Sequence, residues 1–434
     1  MSECIALFDF GASRIKSALC DLATGEFTDF RESPGGALKF GPAAEPDYFT
    51  ACFKHHMAGH LRQTGTAISS IWIASEMHGF LLAGEDGPAL TPYYSWRYEH
   101  GGAAAYEAFV ERFGETFRAI TGMKPRRGLP VVNLVAMAAD RSLPEGALVL
   151  GLPDWIAQSC GVWHRRSHPT LAAGTGLLDF ATMDWHPEYL SAIGGGLLCP
   201  VVSTDLSAPI GAFRHEGREI PIHGGIGDLQ AALAALDLTP SELSINIGTG
   251  SQVSRVSPGR QDPLQAEVRP FFNDTILITQ THIPSGRALE VFSGLIDDIA
   301  AATGGAKGHF WRLVKTLSAG EIEAATLGVD MNVFANAWRF ESGGSISGIL
   351  EGQFSLAHLC AAITKGWLRQ YETASHLVDP TGKTDRFVLS GGLGKRIPAT
   401  ADVLAGWLGR TYAAKEVADE ETLQGLFNLA RKSL

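Results

Sequence analysis

A strand, a glycine turn and a second strand occur twice in this chain, as LFDFGASRIKSAL near its start and as SINIGTGSQVSRV past its middle. A doubling this widely spaced is what two related domains of one ancestral fold would leave. The length agrees, because 434 residues exceed the size at which one hydrophobic core stops growing. Two domains follow, spanning 1–238 and 239–434, with the boundary in the segment ALDLTPSE around Pro240.

The segments around each copy predict an α/β fold. CIALFDF, RIKSALCDL and GEFTDFRES read as an antiparallel meander, with turns at Gly11–Ser13 and Thr24-Gly25. An amphipathic stretch over 47–63 and strand-like IWIAS and FLLAG come next, and a helix between strands implies an α/β sheet. The second half restarts with LSINIG, SQVSRVS and TILITQTH, followed by helix over 288–303. DRFVLSGGLGKR then reads as a strand ending in a glycine turn, and EETLQGLFNLARKSL as a helix.

Composition removes several classes. The net charge of −11 excludes non-specific binding to nucleic acid or anionic lipid, both of which need a basic footprint. No apolar run reaches the roughly 18 residues of a bilayer span, and the opening MSECIALFDFG lacks a basic leader, so a cytoplasmic protein is expected. The six cysteines are scattered without a CxxC pair, the pattern of reduced thiols rather than of a zinc site. His55 and His56 read as a solvated helix face, and no H-E-x-x-H occurs. Gly382-Lys383-Thr384 ends like a phosphate loop but lacks its first glycine and the helix that must follow, so it reads as a surface turn. Neither GGIGDL nor GGLGKR completes a dinucleotide fingerprint after a first strand.

What remains is chemistry for phosphate. Glycines at Gly11, Gly248 and Gly250 let backbone N–H groups approach phosphate oxygens, with Ser13, Thr249 and Ser251 adding hydroxyls. Asp9 closes a hydrophobic strand beside the first turn, a place from which a carboxylate holds Mg²⁺ through water, and Lys16 follows on the next strand. Asp228, in GGIGDLQAALAAL, opens a helix after a dense glycine run. There it can cap the helix, serve a site, or do both.

The order of these motifs resembles the FGGY carbohydrate kinases of the actin/hexokinase-like superfamily, nearly end to end. FDFGASRIK is similar to the family's D-x-G-T-x-x-x-K, and SEMHGFLLAGEDGPALTPYYSW to its Q-M-H-G segment ending in tryptophan. AAGTGLLDFATMDW, GGIGDLQAAL, INIGTGSQ, GGSISGIL and LSGGLGKR match later signatures in order. GDLQ with the overall pattern most resembles the sedoheptulokinase and xylulokinase branch.

The resemblance implies two ribonuclease H-like domains flanking a deep cleft, sugar on the first and nucleotide on the second, with ATP and Mg²⁺ consumed together. It implies Asp228 as the base, Asp9 for the metal, and Gly11, Ala12, Ser13, Lys16, Gly248, Thr249, Gly250, Gly391 and Gly392 around the nucleotide. Met77, His78, Trp96, Asp228 and Gln230 would meet the sugar, a ketose such as sedoheptulose, xylulose or ribulose. A homodimer is compatible with it. Four departures stand out: Ala12 for the usual threonine, Glu76 for the usual glutamine, Trp96-Arg97-Tyr98-Glu99-His100 for W-x-D-x-R, and a short chain. The rival readings are a sugar or nucleotide sensor and a nucleotide hydrolase on the same fold.

Overall fold

The computed structural model describes residues 3–64, 68–85, 87–248, 251–259, 265–333, 343–415 and 419–434. It divides into two compact units. The first comprises Met1–Asp237, Arg269–Asp274 and Val417–Leu434, the second Leu238–Val268 and Thr275–Glu416. Among the described residues no helix is long and apolar enough to cross a membrane.

In the first unit the meander forms as β1 (Cys4–Phe10), β2 (Arg14–Asp21) and β3 (Phe27–Pro34). The chain continues through α1 (Pro46–Thr64) into β4 (Ile68–Ser75) and later adds β5 (Gly161–Trp163), β6 (Gly211–His215) and β7 (Arg218–Gly227). The strands order β3-β2-β1-β4-β7-β6-β5. β1 runs parallel to β4, and β4 to β7, so their ends align: Phe10 opposes Ser75, and Ser75 opposes Gly227. Strands buried on both faces need unbroken apolar sequence, and Ile5 to Phe8 are all fully buried. Ala6, Phe8 and Phe10 pack with Phe49 and Phe53 of α1, whereas Ile5 and Leu7 face the other way. FLLAG does form a strand, Leu81–Ala83, but it pairs with Leu148–Leu150 in a separate two-stranded sheet.

After β7 comes α2 (Asp228–Ala235), then the second unit, built in the same manner. Its strands are β8 (Glu242–Asn246), β9 (Ser251–Ser257), β10 (Glu267–Pro270), β11 (Ile276–Ile283), β12 (Arg386–Ser390) and β13 (Thr411–Tyr412), ordered β10-β11-β9-β8-β12-β13. Helices α3 (Gly286–Ala302) and α4 (Leu356–Val378) accompany them, and β8 pairs with β12 in parallel, Asn246 opposite Ser390. The chain then returns to the first unit as α5 (Glu421–Ser433).

α5 closes the second face of the first sheet. Its Leu423, Leu426 and Phe427 pack with Ile5, Leu7, Trp72 and Ile226, and each buried side chain of this size stabilises by about 1.5–3 kcal/mol. Its contact with α2 is closer than side chains allow. A Cβ on Gly425 would lie 1.7 Å from the Ala231 carbonyl oxygen, so only glycine fits. Asn428 Nδ2 donates to the Ala234 carbonyl at 3.1 Å one turn further on.

His56 corrects the sequence reading. His55 is exposed, but His56 is 1% exposed and belongs to a polar chain under the meander. Asp29 accepts from His60 Nδ1 at 2.8 Å, so His60 Nε2 accepts the Ser17 hydroxyl at 2.8 Å. Ser17 Oγ in turn accepts from His56 Nδ1 at 2.9 Å, and His56 Nε2 accepts from Ser33 at 2.9 Å. The helix amphipathicity placed the histidine on the surface, and a run of hydroxyl partners brought it inside. Burial pushes His56 down to about 4, keeping the chain neutral.

The helix contact is directly testable. Gly425→Val should force α5 away from α2 and cost about 1–3 kcal/mol, the scale of overpacking. Thermal unfolding should then shift downward by roughly 2–10 °C; an unchanged midpoint would mean that the two helices separate without cost.

Candidate active site

The aligned ends of β1, β4 and β7 deliver three carboxylates to one place, because Asp9, Glu76 and Asp228 lie at or just beyond residues that oppose one another. Ligands of open α/β sheets collect at such carboxyl ends. Asp9 opposes Ala74 on one side and Lys16 on the other. Its Oδ1 is buried with no hydrogen-bond partner among the described residues. Burial, with the nearby Asp228 adding to it, pushes Asp9 up to about 7, while Lys16 and a hydrogen bond from Thr422 pull the other way. Lys16 Nζ itself rests 2.5 Å from Glu420.

Glu76 is 5% exposed. Its Oε1 accepts from the Tyr93 hydroxyl at 2.9 Å, and its Oε2 has no partner among the described residues. Gly79 makes the approach of Tyr93 feasible, since a Cβ there would lie 1.7 Å from the phenolic oxygen. Burial raises Glu76 to about 8 against the Tyr93 hydrogen bond, and Asp228 contributes to the rise.

Asp228 is the first residue of α2, with Gly227 in the capping position, so it is not the N-cap. Its Oδ1 accepts from the Leu229 N–H at 2.8 Å. Burial raises it to about 6, opposed by that backbone bond, by the Arg269 guanidinium and by the Met77 N–H. Arg269 also reaches Met77 Sδ at 3.5 Å, and Met77 underlies the Gly227 turn, where a Cβ would stand 2.9 Å from its Cγ. Gln230 is fully buried beneath the same turn, its Nε2 3.5 Å from the Pro270 carbonyl.

The remaining residues of this unit surround the trio in sequence. In the turn after Asp9, the Ser13 carbonyl accepts from Gly35 N–H at 2.8 Å and that of Ala12 from Leu38 at 3.3 Å. A Cβ on Gly35 would lie 2.3 Å from the Ala12 oxygen and one on Gly11 3.0 Å from that of Arg14, so the turn is packed backbone to backbone. His78 follows Met77 and donates from Nδ1 to the Gly174 carbonyl at 2.6 Å. Trp96 is 41% exposed.

In the second unit, the Gly248 N–H donates to Ser251 Oγ at 3.2 Å, and Ser251 also accepts from Tyr371 at 3.0 Å. Thr249 and Gly250 lie outside the described residues. Gly391, at φ +80°, brings its backbone against Ile247, whose oxygen would be 2.5 Å from a Cβ there. Gly392 meets nothing within 4 Å of such a Cβ. Asn246 Nδ2 donates to Ser390 Oγ at 2.9 Å, tying the two strand ends that carry these turns.

Sequence reasoning marked Glu76 only as a departure and missed Tyr93, Arg269, Glu420 and Thr422. Tyr93 lies in the PYYSW stretch already singled out, but no pattern in EVRPF or ADEET signals the others.

No three histidine, cysteine, aspartate or glutamate side chains cluster as a metal cage among the described residues. Mg²⁺ fits nonetheless, because it is held by one or two carboxylates together with substrate phosphates, and Asp9 offers a desolvated oxygen lacking a partner.

No family model and no curated protein matches the sequence. Solved structures do match in fold. A xylulose kinase from Lactobacillus acidophilus superposes with TM-score 0.82 at 17% identity, over 99% of this chain and 89% of that one. A gluconate kinase from the same organism gives 0.82 and 17%, over 100% and 89%. A glycerol kinase from Plasmodium falciparum, solved with ADP, gives 0.79 and 13%, over 98% and 88%. The chain therefore has the sugar-kinase fold, with two actin/hexokinase-like ATPase domains.

The raised Glu76 has a measurable consequence. Its folded value of about 8 lies above the unfolded 4.5, so the folded state binds the extra proton and stability falls as pH rises between them. In metal-free buffer the advantage of Glu76→Gln over the parent in thermal midpoint should grow from pH 5 to pH 8 and then level off. A difference independent of pH would place the proton elsewhere.

Proposed function

We propose that this protein is an ATP-dependent carbohydrate kinase, a phosphotransferase acting on an alcohol group. The observation that carries the reading is Asp228, fixed at the start of α2 beside Arg269 and next to the desolvated Asp9 at the strand ends. Asp228, at about 6, is largely ionised near neutrality, and it accepts the proton of the attacking hydroxyl. The hydroxyl oxygen forms its bond to the γ-phosphorus as the bond from that phosphorus to the β-phosphate oxygen breaks, and ADP leaves. Asp9 would hold Mg²⁺ through water, and bound there the ion supplies charge neutralisation to the phosphates. Lys16 and the Gly11–Ser13 turn serve the phosphates from the first unit, with Gly248, Thr249 and Gly250 serving them from the second. Gly391 and Gly392 border the nucleotide.

Met77, His78, Trp96 and Gln230 form or support the acceptor pocket, Trp96 through its exposed ring face and Gln230 by bracing the Gly227 turn. A small ketose such as sedoheptulose, xylulose or ribulose is the acceptor that the sequence resemblance favours. The solved neighbours are named for xylulose, gluconate and glycerol, so the fold leaves room for neutral and acidic acceptors alike.

Mutation separates these roles. Asp228→Asn should lower kcat by roughly 10²- to 10⁴-fold with nucleotide affinity unchanged. Asp9→Ala should abolish Mg²⁺-dependent turnover. ADP release measured with and without a panel of sugars checks both, and ATP hydrolysis indifferent to every sugar would defeat the kinase reading.

A further inference from the structure

His78 is not arranged to donate to a sugar. Its backbone is left-handed, at φ +65°, and Nδ1–H is spent on the Gly174 carbonyl. Nε2 is therefore the lone-pair nitrogen, and it accepts from Arg126 Nη2 at 3.1 Å. The imidazole is a bracket that orients a guanidinium.

The segment bearing Trp96 is fastened to the same place. A Cβ on Gly128, at φ +78°, would lie 2.2 Å from the Trp96 carbonyl oxygen, so the turn after Arg126 runs against it. Asn133 bridges the two, donating to the carbonyls of Tyr98 (3.2 Å) and Gly128 (3.5 Å) while accepting from the His100 N–H (2.8 Å). A second guanidinium thus joins the first: Arg97 is exposed and stands 5.0 Å from the centre of the Trp96 ring.

The charge at this wall is unbalanced. The family pattern has an aspartate where Tyr98 stands. Tyr98 stacks on Tyr94 at 4.0 Å and bonds His100 at 3.0 Å, so it supplies no anion. Arg97 makes no ion pair among the described residues, and neither does the exposed Glu99 beside it. A neutral polyol gains nothing from two converging positive charges, whereas planar guanidiniums match the oxygens of an anionic group.

Resting on the kinase reading above, we infer that the acceptor is a sugar carrying an anionic group, and that Arg97 and Arg126 bind that group beside Trp96. The two are specificity-determining residues, and His78 is a positioning residue acting through Arg126.

The test uses the whole protein with acceptors matched in carbon skeleton: an aldonate, a sugar phosphate, and the corresponding neutral aldose and ketose. ADP release gives kcat/KM for each, and calorimetry without nucleotide gives binding of the aldonate. One of the two anionic acceptors should exceed its neutral counterparts by at least about tenfold, and Arg97→Gln or Arg126→Gln should cut that ratio by about tenfold or more. Preference for the aldonate or for the sugar phosphate identifies which group supplies the anion. Equal kcat/KM for neutral and anionic acceptors, or a ratio unmoved by both substitutions, overturns the inference. If no acceptor supports ADP release, the kinase reading fails. In that event aldonate binding that is lost in both arginine variants would still support the anion site, and absent binding would overturn it.

Discussion

Everything at the candidate site depends on how closely α5 can approach α2. The backbone contact between Gly425 and Ala231 lets the two helices lie together without side chains between them. That proximity seats the first turn of α5 over the ends of β1 and β2. From there Thr422 reaches Asp9 and Glu420 reaches Lys16. It also anchors α2, whose first residue is Asp228. A contact with no chemistry of its own sets the geometry of the charged groups around it.

Those charges would not gather unaided. Three carboxylates leaving water at neighbouring strand ends oppose both burial and one another, and each is raised above its ordinary value. Strand pairing imposes the proximity, since the parallel register of β1, β4 and β7 is fixed by fully buried apolar residues far more numerous than the acids. Arg269 and Lys16 offset part of the repulsion, and Tyr93 satisfies one oxygen of Glu76. The fold holds the site in a state that a cation or a protonated ligand would relieve.

Much of this was legible in sequence because the signals were local. β1, β2 and β9 end within a residue or so of their apolar runs, and Asp9 and Asp228 were identified by what stands beside them in the chain. Asp228 proved to be the first helical residue rather than the cap, a distinction of one position that hangs on backbone angles. Arg269, Glu420 and Thr422 were illegible because they reach the site by returns of the chain that no nearby pattern announces. His56 misled for the opposite reason. Its helix periodicity put it outside, and hydroxyls from two distant strands drew it in.

The first unit is assembled from three stretches, the last of them residues 417–434, while the second occupies most of what lies between. During translation this order has a cost. The sheet of the first unit can form early, but its apolar face, with Trp72 and Ile226 on it, stays uncovered until the ribosome has released Leu423, Leu426 and Phe427. The second unit is largely complete by then. Nascent chains therefore carry an unshielded hydrophobic surface through nearly half of their synthesis, which is the condition under which a chaperone binds.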